Sequence, residues 1–160
     1  MPPGRVGSYK GTATRACKPS VRATFALDTG SRADIAPMER AHVLVVEDSD
    51  SVRRLIEVCL RVLDVVVTSA SDGPLGIAAI QSDKPDVVVL DIGLPGLDGW
   101  EVLRQLRADP HTENLKVLVL TAHAQPEMAD RAAQGGADAF MTKPFRPADL
   151  REQVEKLLTL

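Results

Sequence analysis

Asp86-Val87-Val88-Val89-Leu90-Asp91-Ile92-Gly93-Leu94-Pro95-Gly96-Leu97-Asp98-Gly99 joins a run of β-branched residues to a loop of Gly and Pro. Four consecutive apolar residues, three of them β-branched, follow Lys84-Pro85 and run into a segment of Gly and Pro. That pattern predicts a short, fully buried strand. Asp91 stands at the strand's exit, the loop beyond it is built from Gly93, Pro95 and Gly96, and a helical pattern resumes after Asp98-Gly99. A carboxylate at the C-terminal end of a buried parallel strand is where open α/β sheets place their chemistry. A lone Asp there is also an ordinary turn or cap residue, so the rest of the chain has to decide.

One pattern repeats from His42: an apolar run, a polar loop, an amphipathic helix. Val43-Leu44-Val45-Val46 predicts a first strand, followed by Glu47-Asp48-Ser49-Asp50 and a helix with Val52, Leu55, Ile56 and Cys59 on one face. Val65-Val66-Val67 predicts a second strand, and Asp72-Gly73-Pro74 starts a helix through Leu75 and Ile80. The helix after Gly99 presents Trp100, Leu103 and Leu106 and ends at Asp109-Pro110. Lys116-Val117-Leu118-Val119-Leu120 is a fourth strand, and the helix through Met128 and Ala132 is the least apolar of the set. Gly135-Gly136 ends it, Ala137-Asp138-Ala139-Phe140-Met141 is a short fifth strand, and a last helix from Pro147 presents Leu150, Val154, Leu157 and Leu158.

Five strands alternating with five helices predict an α/β fold: a doubly wound, five-stranded parallel sheet of order 2-1-3-4-5, flavodoxin-like, with helices on both faces. Composition agrees with this. Apolar residues make up 44% of the 160-residue chain and aromatics only 3%, so the core is aliphatic, as parallel sheets require. No apolar run reaches the ~18 residues of a membrane span and no secretory signal pattern is present, so a soluble, cytoplasmic protein is expected. Cys17 and Cys59 lie far apart without CxxC or His neighbours, which argues against a zinc site or disulfide framework.

Charge divides the chain. Residues 1–41 carry seven Lys and Arg against three Asp and Glu; residues 42–160 carry twelve against nineteen. An acidic domain with no basic cluster is a poor nucleic-acid binder. Residues 1–40 show no sustained period and are expected to be a disordered tail: a linker, a basic arm, a targeting sequence, or residues preceding a true start at Met38. The folded domain is expected to occupy residues 41–160.

The predicted topology brings four strand ends to one crevice: Glu47 and Asp48 after the first, Asp91 after the third, Thr121 after the fourth, Lys143 after the fifth. Three carboxylates there repel one another unless a cation sits among them. All-oxygen donors suit a hard ion, Mg2+ before Ca2+ or Mn2+. A cation, an ammonium and a hydroxyl around a free carboxylate are the parts of phosphoryl transfer to an aspartate.

These residues resemble a family, the receiver (phosphoacceptor) domain of two-component response regulators. Val-Val-Glu47-Asp48-Ser is similar to its acidic pair, Asp91-Ile-Gly-Leu-Pro95-Gly-Leu-Asp98-Gly99 to its acceptor loop, Thr121-Ala122 to its switch hydroxyl, and Lys143-Pro144-Phe145 to its lysine and cis proline. The resemblance implies that Asp91 accepts a phosphoryl group from a histidine kinase or histidine phosphotransferase. It further implies that Asp48, Asp91 and the Gly93 carbonyl hold Mg2+, with Glu47 acting through water. Lys143 and Thr121 would contact the phosphoryl oxygens, and Phe140 would be the rotating aromatic of the switch. Gly93 and His123 occupy positions that influence acyl-phosphate hydrolysis and supply neither amide nor carboxylate, so slow self-dephosphorylation is expected.

The implied protein is a stand-alone, monomeric switch, not a turnover enzyme. It acts on a downstream protein through helix 4, strand 5 and helix 5, since no output segment follows the fifth helix. Two other classes compete. One is an interaction module that no longer uses phosphorylation, disfavoured by the intact acids and lysine. The other is a Mg2+-dependent hydrolase with an aspartyl nucleophile, disfavoured because Gly93 stands where a second Asp is needed.

Overall fold

The computed structural model describes residues 39–160. Cys17 and all but the last two residues of the expected tail lie outside them. In chain order the elements are β1 (Ala41–Val46), α1 (Asp50–Leu60), β2 (Val65–Ala70), α2 (Gly73–Asp83), β3 (Val87–Asp91), α3 (Gly99–Ala108), β4 (Lys116–Thr121), α4 (Pro126–Gln134), β5 (Ala139–Thr142) and α5 (Pro147–Leu158). The strands form one sheet in the order β2-β1-β3-β4-β5, every neighbouring pair parallel. This is the doubly wound, flavodoxin-like α/β architecture that the sequence predicts.

Strand alternation splits the core in two. Val43, Val45, Val87, Val89, Leu118 and Leu120 face one side, where α1 and α5 add Ile56, Leu60, Leu150 and Val154. Leu44, Val46, Val88, Leu90, Val117 and Val119 face the other, covered by Ile80 of α2, Val102 and Leu103 of α3, and Ala132 of α4. The five residues of β3 are all buried, as a central parallel strand covered on both faces requires. Asp72 and Asp98 cap α2 and α3, accepting from the amides of Leu75 (2.8 Å) and Glu101 (2.9 Å).

Two details depart from the sequence pattern. Leu55, expected on the buried face of α1, is 47% exposed, while Leu60 is fully buried. The buried arc is centred on Ile56, Cys59 and Leu60, and Leu55 lies about 100° around the helix from Ile56. The last strand begins at Ala139, two residues later than expected: the Asp138 amide still donates to the Val117 carbonyl (2.9 Å), but the Val117 amide turns to the Asp138 carboxylate and the ladder starts only beyond it.

Asp138 belongs to a network at the N-terminal edge of the sheet. Its carboxylate accepts from the Val117 amide (2.9 Å) and from Arg107 Nη2 (3.0 Å), with Lys116 Nζ 3.4 Å away. Arg107 also donates to the carbonyls of Gly136 (2.8 Å) and Thr112 (3.3 Å). One guanidinium thus ties the end of α3 to the turn that leaves α4. Arg107→Met is expected to lower the unfolding free energy by about 2 kcal/mol in urea titrations. Arg107→Lys should restore little of it, because an ammonium lacks the planar fork that reaches three acceptors.

Candidate functional site

Strand register builds the site. Val46 pairs with Leu90, Asp91 with Leu120, and Thr121 with Thr142. Glu47 therefore stands level with Asp91 one residue past β1, and Lys143 one residue past β5. Period-two alternation then sorts the side chains. Glu47 continues the series Val43, Val45; Asp91 continues Val87, Val89; Lys143 continues Ala139, Met141. All three lean toward the α1 and α5 side. Thr121 continues Val117, Val119 on the opposite side, where Phe140 also packs, half-buried.

Lys143 is the hub. Its Nζ lies 2.7 Å from Glu47 Oε2 and 3.1 Å from Asp91 Oδ1. Glu47 is 1% exposed and Asp91 4%, whereas Asp48 is exposed at the mouth. One ligand oxygen from each of Glu47, Asp48 and Asp91 lies within 4.8 Å of the others. Backbone completes the frame. The Gly93 amide donates to Asp91 Oδ1 (3.1 Å), the Ser49 amide to Glu47 Oε1 (3.2 Å), and the His123 amide to Thr121 Oγ1 (3.1 Å). The Lys143 amide donates to the Thr121 carbonyl at 2.7 Å, and the Lys143–Pro144 peptide is cis.

The site is charge-frustrated. Burial, reinforced by the neighbouring Asp91 carboxylate, pushes Glu47 above the usual carboxylate range even though Lys143 pulls the other way. Burial alone would depress Lys143, but the Glu47 and Asp91 carboxylates outweigh it and hold the ammonium above 10.5. Two buried acids share one lysine, and a third carboxylate, Asp48, stands beside them. The donor set is all oxygen and compact enough for one hard cation, so the residues present fit Mg2+.

The structure thus brings together Glu47, Asp48, Asp91, Gly93 and Lys143. It places Thr121 on the adjoining strand end and Phe140 two residues before the end of β5, on the Thr121 face of the sheet. Sequence reasoning missed Arg53. Its Nη1 donates to the Glu47 carbonyl (2.8 Å) and its Nη2 bonds Asp50, fixing the turn that carries the acid pair. Its position within α1 gave no motif to mark it. A cavity of about 710 Å3 bounded by Lys84, Asp86, Asp109 and His111 lies at the opposite edge of the sheet.

These features define a class: a flavodoxin-like α/β domain with a lysine-bridged acidic site at the carboxyl edge of its sheet. The chain belongs to the response regulator receiver domain family of two-component systems, whose family model matches residues 43–155. It is 36% identical over 116 residues to the chemotaxis protein CheY of Pseudomonas aeruginosa, an alignment covering 72% of this chain and 94% of that one. It is 35% identical over 116 residues to CheY-3 of Vibrio cholerae, covering 72% of this chain and 89% of that one. Among solved structures, the chemotaxis response regulator CheY4 of Vibrio cholerae superposes with a TM-score of 0.70 at 29% identity, covering 74% of this chain and 99% of that one. Receiver domains are signalling domains, and acceptance of a phosphoryl group is general to the family.

Frustration predicts opposite signs for two variants. Without divalent cation, Asp91→Asn removes one buried charge and is expected to raise the unfolding free energy by about 1 kcal/mol. Lys143→Met leaves two buried acids unbalanced and should lower it by about 2 kcal/mol. Because the Lys143 pKa is raised on folding, its contribution is intact below 10.5 and lost as pH rises through the higher folded value. The difference in melting temperature between wild type and Lys143→Met should therefore narrow above pH 10.5, and also at acid pH, where protonation of Glu47 removes the unbalanced charge.

Proposed function

We propose that this domain is a Mg2+-dependent phosphoacceptor switch in which Asp91 takes a phosphoryl group from a phosphohistidine of a histidine kinase or histidine phosphotransferase. The observation that carries the reading is the Lys143 ammonium in contact with both Glu47 and Asp91, beside a third carboxylate. An oxygen of Asp91 attacks phosphorus, the O–P bond forms as the P–N bond breaks, and the imidazole leaves with the electron pair. Lys143 balances charge on the transferring oxygens and Thr121 donates a hydrogen bond to one of them. Asp48, Asp91 and the Gly93 carbonyl would hold Mg2+, with Glu47 acting through water. The ion would supply charge neutralisation on the phosphoryl oxygens.

Output in this reading passes through the surface of α4, β5 and α5. Two observations support that direction: Thr121 and Phe140 share one face of the sheet, and α4 buries only Ala132. A Thr121 shifted toward the phosphoryl group frees space for Phe140, which moves the α4 face between two populations. The switch acts on a downstream protein, as a cytoplasmic monomer, with no nucleic-acid contact of its own. It turns over no external substrate. No helix among the described residues is long and apolar enough to cross a membrane. Gly93 and His123 offer neither amide nor carboxylate to position an attacking water, so self-dephosphorylation is slow.

Incubation with phosphoramidate, followed by intact mass, tests this. Wild type is expected to gain one phosphoryl group only with Mg2+, as an acid-stable, base-labile adduct. Asp91→Asn should gain none, and Lys143→Ala should slow uptake about tenfold or more. A folded, Mg2+-binding wild type that takes up nothing from any small donor would overturn the reading in favour of a phosphorylation-independent interaction module.

A further inference from the structure

The loop that carries Asp91 and Gly93 is pressed by backbone from two sides. Gly99 opens α3, and a Cβ placed on it would lie 2.3 Å from the Asp91 carbonyl oxygen and 2.6 Å from Ile92 Cα. The Gly99 amide donates to the Ile92 carbonyl at 3.1 Å, so the first residue of α3 is stacked on the peptide of Asp91 itself. From the other side, Gly73 opens α2, and a Cβ there would lie 2.8 Å from the Leu97 carbonyl oxygen, 3.1 Å from Val102 Cγ2 of α3 and 3.2 Å from Leu97 Cβ, the backbone oxygen being the tightest of the three. Both glycines are buried, and neither has positive φ. What the fold demands at these two positions is space, not backbone freedom.

We infer that Gly73 and Gly99 are positioning residues: the N-termini of α2 and α3 pinch the acceptor loop and set where the Asp91 carboxylate and the Gly93 carbonyl stand. The inference rests on the reading of Asp91 as acceptor and deepens it. When the contact at Gly73 is crowded, the loop yields before the helix does. Behind Gly73, α2 is seated by Gly76, where a Cβ would lie 2.9 Å from Val46, and by Ile80, 2% exposed. In the loop Gly93, Pro95, Gly96 and Asp98 are all exposed. A displaced Leu97 therefore shifts the segment whose amide holds Asp91 Oδ1. Misplacement of a ligand or reacting group by a fraction of an ångström to 1 Å costs about ten- to a hundredfold.

Gly76→Ala is the internal control, the same substitution in the same helix, crowding a core side chain and not the loop. Wild type, Gly73→Ala, Gly76→Ala and Gly99→Ala are compared by melting temperature, by calorimetric titration with Mg2+ alone, and by initial phosphoryl uptake from phosphoramidate. Gly73→Ala is expected to bind Mg2+ about tenfold more weakly than wild type and to slow uptake at saturating Mg2+ by a similar factor. Gly76→Ala should lower the melting temperature while leaving both within about twofold. Equal Mg2+ constants and equal rates for Gly73→Ala and Gly76→Ala overturn the inference, as does a wild type that binds no Mg2+. If Gly99→Ala fails to fold, judged by circular dichroism, the Gly73 and Gly76 pair decides alone. A wild type that binds Mg2+ but takes up no phosphoryl group sinks the phosphoacceptor reading, and the Mg2+ constants then decide this inference by themselves.

Discussion

One ammonium held between two buried carboxylates is the interaction around which this structure is arranged. Lys143 meets Glu47 across 96 residues of chain and meets Asp91 from the far side of β4. Neither contact exists until β1, β3 and β5 are aligned in one sheet. Burying acids at the ends of aliphatic strands is unfavourable in isolation, and a single lysine compensates it only in part. The aliphatic layers above and below the sheet supply the stability that lets this edge stay frustrated. A site in this condition is prepared for additional positive charge.

The two faces of the sheet divide the work by alternation alone. Odd-numbered positions of β1, β3 and β5 lead up to Glu47, Asp91 and Lys143 on the α1 and α5 side. In β4 the same rule turns Thr121 to the other side, with Phe140 and α4. Thr121 thus borders the acidic cluster by its place in the sheet and α4 by the direction of its side chain.

Much of this was legible in the sequence because buried parallel strands are continuous aliphatic runs and their exits are Gly- and Pro-rich. Val87 to Leu90 could hardly be anything but a central strand, and its neighbour Asp91 followed. The strand-end acids, Thr121 and Lys143 were legible for the same reason, since topology converts strand order into proximity. Local periodicity failed where a tertiary contact chose between near-equivalent positions. Leu55 and Leu60 both sit in apolar patterns, and only the angle at which α1 meets the sheet and α5 decides which is covered. Arg53, Arg107 and Gly73 were invisible because each acts on backbone carbonyls from a distant or adjoining element, and a carbonyl has no letter in the sequence.

Trp100 lies at the start of α3, with the Arg131 guanidinium of α4 placed 4.3 Å from the centre of its ring. It is the only tryptophan in the chain. Its ring is half-buried against the α3 and α4 side of the core, and the cation above it sits on the helix with the smallest buried anchor. The near-ultraviolet emission of this protein therefore comes chiefly from one indole. That indole senses the electric field and solvent of the boundary between the two helices, so the molecule carries a built-in optical gauge of how closely α4 lies against its neighbour.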